Sequence, residues 1–130
     1  MNNQLEQLLT ELTPEQAATL EGGLFLLVDG FQAINAGADT FNGDDTYITV
    51  NGQRLAGAYD GVSTGQFIAV NRGLGVSDFA NVDLFDEDDG FLSGSDDYLG
   101  GFTVTGVTNG QAVTRVSGGG STYDVYYRAF

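Results

Sequence analysis

Carboxylates dominate any chemistry this sequence could perform, and they come in runs: Asp39, Asp44 and Asp45; Asp60; Asp86, Glu87, Asp88 and Asp89; Asp96 and Asp97. The 130 residues carry 18 acidic and four basic side chains, a formal charge of −14, and every cation is an arginine: Arg54, Arg72, Arg115 and Arg128. Lysine, histidine, cysteine and tryptophan are absent. Without imidazole or thiol there is no catalytic triad, no thiolate nucleophile and no zinc cage. Without a basic footprint, nucleic acid is excluded as a partner. What remains is oxygen chemistry, which takes two forms. Two carboxylates such as Asp60 and Asp97 could do acid/base work on a glycan, or the group could hold a cation. The second is expected, because like charges crowded together repel and call for a counter-charge. Nothing like a walled cleft is encoded, so a non-enzymatic role is expected. Oxygen donors alone suit a hard ion; Ca²⁺ takes about 6 to 8 of them in a loose geometry, and Mg²⁺, needing a tight octahedron, is the second choice.

The elements that must position these residues read as strands. From Leu24 onward eight runs alternate or concentrate β-branched and aromatic residues between turn signals: 24–34, 46–50, 53–59, 66–71, 80–86, 100–107, 111–117 and 121–130. With 20 glycines, one proline and 15 aromatic residues, the pattern predicts one all-β domain, an eight-stranded antiparallel β-sandwich. If successive strands are antiparallel, the loops after the first, third and fifth emerge at one end and hold ten carboxylates, from Asp39 to Asp97. The opposite end is expected to take 51–52, 72–79, 108–110 and 118–120, with Asp78 as its one acid.

Known calcium signatures discriminate further. The run Asp86-Glu87-Asp88-Asp89-Gly90 begins like an EF-hand loop, but its glycine falls one position early and no glutamate closes it. The run from Gly94 to Gly101 is a single copy of what a calcium-binding β-roll would stack. By contrast, Asp39-x5-Asp45 followed by a strand, then Leu84-Phe85-Asp86-x-Asp88, then Asp97-x-x-Gly100, resembles the calcium-binding C2 domains, in their circularly permuted strand order. That resemblance spans nearly all of residues 24–130. It implies that Asp39 and Asp45 bridge from the first loop, that Asp86 and Asp88 are central chelators and that Asp97 closes the third loop, around two or three Ca²⁺ ions. It also implies a ligand from the Glu87 carbonyl, with the Glu87 side chain pointing away. Thr46 stands where the family usually has proline, and the third loop is longer by a few residues. Asp44, Asp60, Glu87, Asp89 and Asp96 are therefore second-tier ligands, with Asp89 or Asp96 able to substitute for one of the five.

The first 23 residues differ in composition. Leucines at 5, 8, 9, 12 and 20 and glutamates at 6, 11, 15 and 21 predict two short amphipathic helical pieces meeting at Thr13-Pro14, where Thr13 caps and Gln16 completes a capping box. The run Leu12 to Gly22-Gly23 resembles the double-glycine leader of bacterial proteins exported by ABC transporters that carry a peptidase domain. It implies cleavage after Gly23, a domain spanning 24–130 and a secreted protein; there is no basic n-region or continuous apolar stretch of a general secretory signal. The remaining chain keeps a charge of −10, with no lysine. Phe41, Phe91 and Leu92 are candidate loop tips for a lipid or polysaccharide surface, although anionic membranes would repel the calcium-free form.

Overall fold

A computed structural model describes residues 23–38, 43–88 and 95–130. The expected N-terminal helices and Gly22, together with Asp39, Phe41, Asp89, Phe91 and Leu92, lie outside these residues. Eight strands follow in order: β1 (Leu24–Asn35), β2 (Asp44–Val50), β3 (Gln53–Val62), β4 (Phe67–Val76), β5 (Ala80–Asp86), β6 (Asp97–Val104), β7 (Ala112–Gly118) and β8 (Ser121–Ala129). They form two four-stranded sheets, β4-β1-β8-β7 and β3-β2-β5-β6, with antiparallel pairing throughout.

The pleat explains why these sequences sit as they do. Along β8 Ser121, Tyr123, Val125, Tyr127 and Ala129 are buried, while the residues between them are half-buried. In β5 Ala80, Val82 and Leu84 face inward in the same way. The inner faces meet in one core containing Leu26, Val28, Phe31, Ile48, Leu99 and Val116. Each large apolar side chain buried there contributes about 1.5–3 kcal/mol. Phe31 sets ring edges against both Tyr59 and Tyr123, tying the sheets together.

Two tight hairpins fix register. Asn51-Gly52 joins β2 to β3 with both residues at positive φ, the geometry of a two-residue turn that matches strand twist. Gly119-Gly120 does the same between β7 and β8. The second turn corrects one expectation from the sequence. It lies at the acidic end, because strand parity returns β7 to that end: Asn35 Nδ2 donates to Gly120 O at 3.0 Å, and Gly37 N donates to Ser121 Oγ at 3.0 Å. Strand limits also move. β4 continues to Val76 through an irregularity at Asn71, whose φ is 51°, so the expected loop 72–79 shrinks to residues 77–79. β6 begins at Asp97 instead of Gly100, and β3 extends through Asp60.

Candidate metal centre

Asp86 ends β5, at the centre of its sheet. Its partner on β2 is Thr46, and its partner on β6 is Asp97, so two carboxylates stand directly opposite on neighbouring strands. Like charges so placed destabilise a sheet unless something neutralises them. Asp88, two residues into the following loop, joins them: one carboxylate oxygen from each of Asp86, Asp88 and Asp97 lies within 4.8 Å of the others. Two ligands each about 2.3–2.6 Å from one calcium can be at most about 5 Å apart, so the spacing fits a shared ion. Asp86 is buried, Asp88 half-buried and Asp97 exposed, a gradient that leaves the group open to solvent on one side.

The surrounding contacts hold this group in shape. Asp45 N donates to Asp86 Oδ1 at 2.7 Å, and Glu87 N donates to Asp45 O at 2.8 Å, which extends the β2–β5 ladder into the loops. The Asp45 carboxylate turns to the second loop, where Oδ1 accepts from Gly61 N at 2.9 Å. Among the described residues, Asp45 therefore stands outside the three-carboxylate group.

Asp96 accepts at both oxygens, from the Tyr47 hydroxyl at 2.5 Å and from Asp88 N at 3.0 Å. It braces the loop that carries Asp88. The Tyr47 hydroxyl and then the Asp88 amide hold the Asp96 carboxyl below the usual range, while burial and then the Asp96 bond push Tyr47 up to about 12.

Glu87 points away from the group and pairs with Arg54 at 3.3 Å, and Arg54 lies 3.8 Å over the Tyr47 ring. This cation was missed from the sequence. It sits on β3 and reaches the acidic end only by leaning along the sheet.

Asp44 has a different setting from its neighbour. It is fully buried, with Oδ1 accepting from Ala38 N at 3.0 Å and Oδ2 accepting from Ser121 Oγ at 2.7 Å and Tyr123 Oη at 2.6 Å. Burial and then the bond to Asp44 push the Tyr123 hydroxyl far up. Donors thus occupy both Asp44 oxygens, and the residue anchors the first loop onto β8. Asp60 is exposed on β3, outside the group.

The step Asp97-x-x-Gly100 has a steric reason. Gly100 has φ 109°, and a Cβ there would lie 2.7 Å from Ser117 O. Only glycine allows β6 to approach β7 of the other sheet so closely just after Asp97.

No protein-family model matches the sequence, and no curated protein matches it significantly. Among solved structures, one described as the structure of a C2 domain superposes with a TM-score of 0.59 and 16% sequence identity, covering 82% of this chain and 97% of that one. The chain has a C2-like β-sandwich fold, with an acidic group at one end of it.

Proposed function

We propose that this chain is a secreted, non-enzymatic calcium-binding module that uses the acidic end of its sandwich for calcium-dependent contacts with a surface or matrix. The observation that carries the reading is the approach of Asp86, Asp88 and Asp97 oxygens to within 4.8 Å of one another. The C2-like fold, which places that group at a loop-bearing end, supports it. Calcium would neutralise the three carboxylates and draw further oxygens from the same loops, Asp39, Asp45 and the Glu87 carbonyl first. Two or three ions are proposed.

Export through a peptidase-bearing ABC transporter, with cleavage after Gly23, is part of the proposal. It is supported by the leader-like spacing and by the start of β1 at Leu24, immediately after the glycine pair.

Titration calorimetry and thermal unfolding with calcium, and separately with magnesium, test the site. The expected result is saturable heat and a melting point several degrees higher in calcium, since a ligand at about 100 Kd adds about 2.7 kcal/mol. An unchanged melting point in millimolar calcium would overturn the assignment. Liposome and polysaccharide pull-downs with and without calcium then identify the surface, and the mass of the extracellular protein reports whether Leu24 is its first residue.

A further inference from the structure

Asparagine followed by glycine readily loses its side-chain amide, because glycine brings no Cβ to hinder closure of a ring between its nitrogen and the asparagine Cγ. Three such pairs occur in the chain, Asn42-Gly43, Asn51-Gly52 and Asn109-Gly110, whereas Asn35, Asn71 and Asn81 are each followed by a residue that bears a Cβ. Asn42 lies outside the described residues. The other two pairs both sit at the end of the sandwich away from the acidic group, one between β2 and β3 and the other between β6 and β7.

In most respects these two pairs match. Both asparagines are exposed and left-handed, with φ 50° at Asn51 and 54° at Asn109, and both glycines have positive φ. A Cβ added at Gly52 or at Gly110 would meet nothing within 4 Å, so packing closes off neither pair.

The side-chain amides differ. Asn51 Nδ2 donates to Phe79 O at 3.0 Å, and Asn51 Oδ1 accepts from Asn81 N at 2.7 Å. The Asn51 backbone N–H also donates to Asn81 O at 2.9 Å, so main chain and side chain are both pinned beside the start of β5. Among the described residues, nothing hydrogen-bonds to the Asn109 amide or to the Gly110 N–H. The residue before them is held firmly. Thr108 N donates to Ala129 O at 3.0 Å, Ala129 N donates to Thr108 Oγ1 at 3.0 Å, and Thr108 Oγ1 donates to Gly110 O at 2.5 Å. Asn109 is thus carried on an anchored loop with its amide free to turn onto Gly110.

We propose that Asn109-Gly110 is a spontaneous modification site, deamidating through a cyclic imide with water as co-reactant, and that Asn51-Gly52 is protected by the hydrogen bonds on its amide. Base removes the Gly110 amide proton, the nitrogen pair forms a bond to Asn109 Cγ, and the Cγ–Nδ2 bond breaks to release ammonia. Water then opens the imide. Addition at the side-chain carbonyl gives aspartate, and addition at the main-chain carbonyl gives isoaspartate, whose side-chain methylene enters the backbone. Either product places a new negative charge beside Thr108, and the isoaspartyl form lengthens the chain between the Thr108 anchor and β7. The carboxylate group at the opposite end takes no part.

Incubation of the folded full-length chain at mildly alkaline pH, followed by chymotryptic peptide mapping, tests the proposal. Cleavage at aromatic residues places Asn42, Asn51 and Asn109 in separate peptides, and the aspartyl and isoaspartyl products of each are resolved by retention. Asn51 must first break both of its side-chain bonds, so Asn109 should react on the order of tenfold faster. In guanidinium chloride, where no fold protects either residue, the two rates should come together. Equal rates in the folded chain, an unmodified Asn109, or a difference that persists in the denaturant would each overturn the proposal.

Discussion

Asp44 and Asp86 are both fully buried at the same end of neighbouring strands, yet their surroundings are opposite. Asp44 is clothed in donors: a backbone amide, a serine hydroxyl and a tyrosine hydroxyl. Asp86 accepts the Asp45 amide but also faces the carboxylates of Asp88 and Asp97. The difference teaches how a strongly acidic chain divides its acids. A buried carboxylate supplied with donors is a structural anchor, whereas one supplied with other carboxylates is left to be neutralised by a proton or a cation.

The largest expected effect breaks the first half of that contrast. Asp44→Ala removes an acceptor from the Tyr123 and Ser121 hydroxyls and the Ala38 amide, of which Tyr123 keeps Thr46 and Ala38 keeps Ser121 as partners, and should lower unfolding free energy by about 3 kcal/mol, measured by urea titration. Next, Asp88→Asn should leave calcium-free stability unchanged or slightly raised, because it removes repulsion, while abolishing the calcium-dependent gain of about 2.7 kcal/mol at 100 Kd. A loss of calcium-free stability comparable to that of Asp44→Ala would erase the distinction between the two acids.

A smaller effect sharpens it. Tyr47→Phe removes the hydroxyl that braces Asp96, and should cost about 1 kcal/mol and weaken calcium binding several-fold by loosening the Asp88 loop; Asp96→Asn should reproduce the weakening. The smallest effect is alkaline. Tyr47 is raised in the folded state from 10 to about 12, so its contribution is complete below pH 10 and is lost as pH rises through 12. Tyrosinate absorbance in the wild type and in Tyr47→Phe checks this, the variant lacking the phenol raised to about 12. On the acid side the lowered Asp96 contributes above the ordinary carboxylate range and is lost as pH falls below it, modestly, because the group is exposed.

The eight strands were legible because their alternation is local: each run announces its pleat within a few residues. The distinction between Asp44 and Asp45 was not, since adjacent residues of one type differ only in the face they take. The donors that claim Asp44 come from Ser121 and Tyr123, 77 and 79 positions away. Strand parity indicated the acidic end correctly for three loops, but the β7–β8 turn was misplaced by one reversal. Asp86, Asp88 and Asp97 were readable as a spacing, and the backbone brings them together; Asp45 shared that spacing, but it stands outside the three-carboxylate group, with one of its oxygens accepting from Gly61 N. Arg54 gave no local signal at all, because its partners Tyr47 and Glu87 are reached across the sheet.

The close passage of Gly100 and Gly118 has a consequence for association. A Cβ on Gly118 would lie 2.7 Å from Tyr98 O, so β6 and β7, the outermost strands of opposite sheets, run backbone against backbone along one side of the sandwich. Around Gly100 and Gly118 each strand shields the other's outer edge. The other side ends in β3 and β4, and each is interrupted: β3 shifts register around Gly57 and carries Arg54 and Asp60, while β4 shifts at Asn71 and carries Arg72. Bent, charged edges are poor templates for another chain's strand. Among the described strands, glycine-allowed contact on one side and irregularity on the other thus leave poor templates for strand addition.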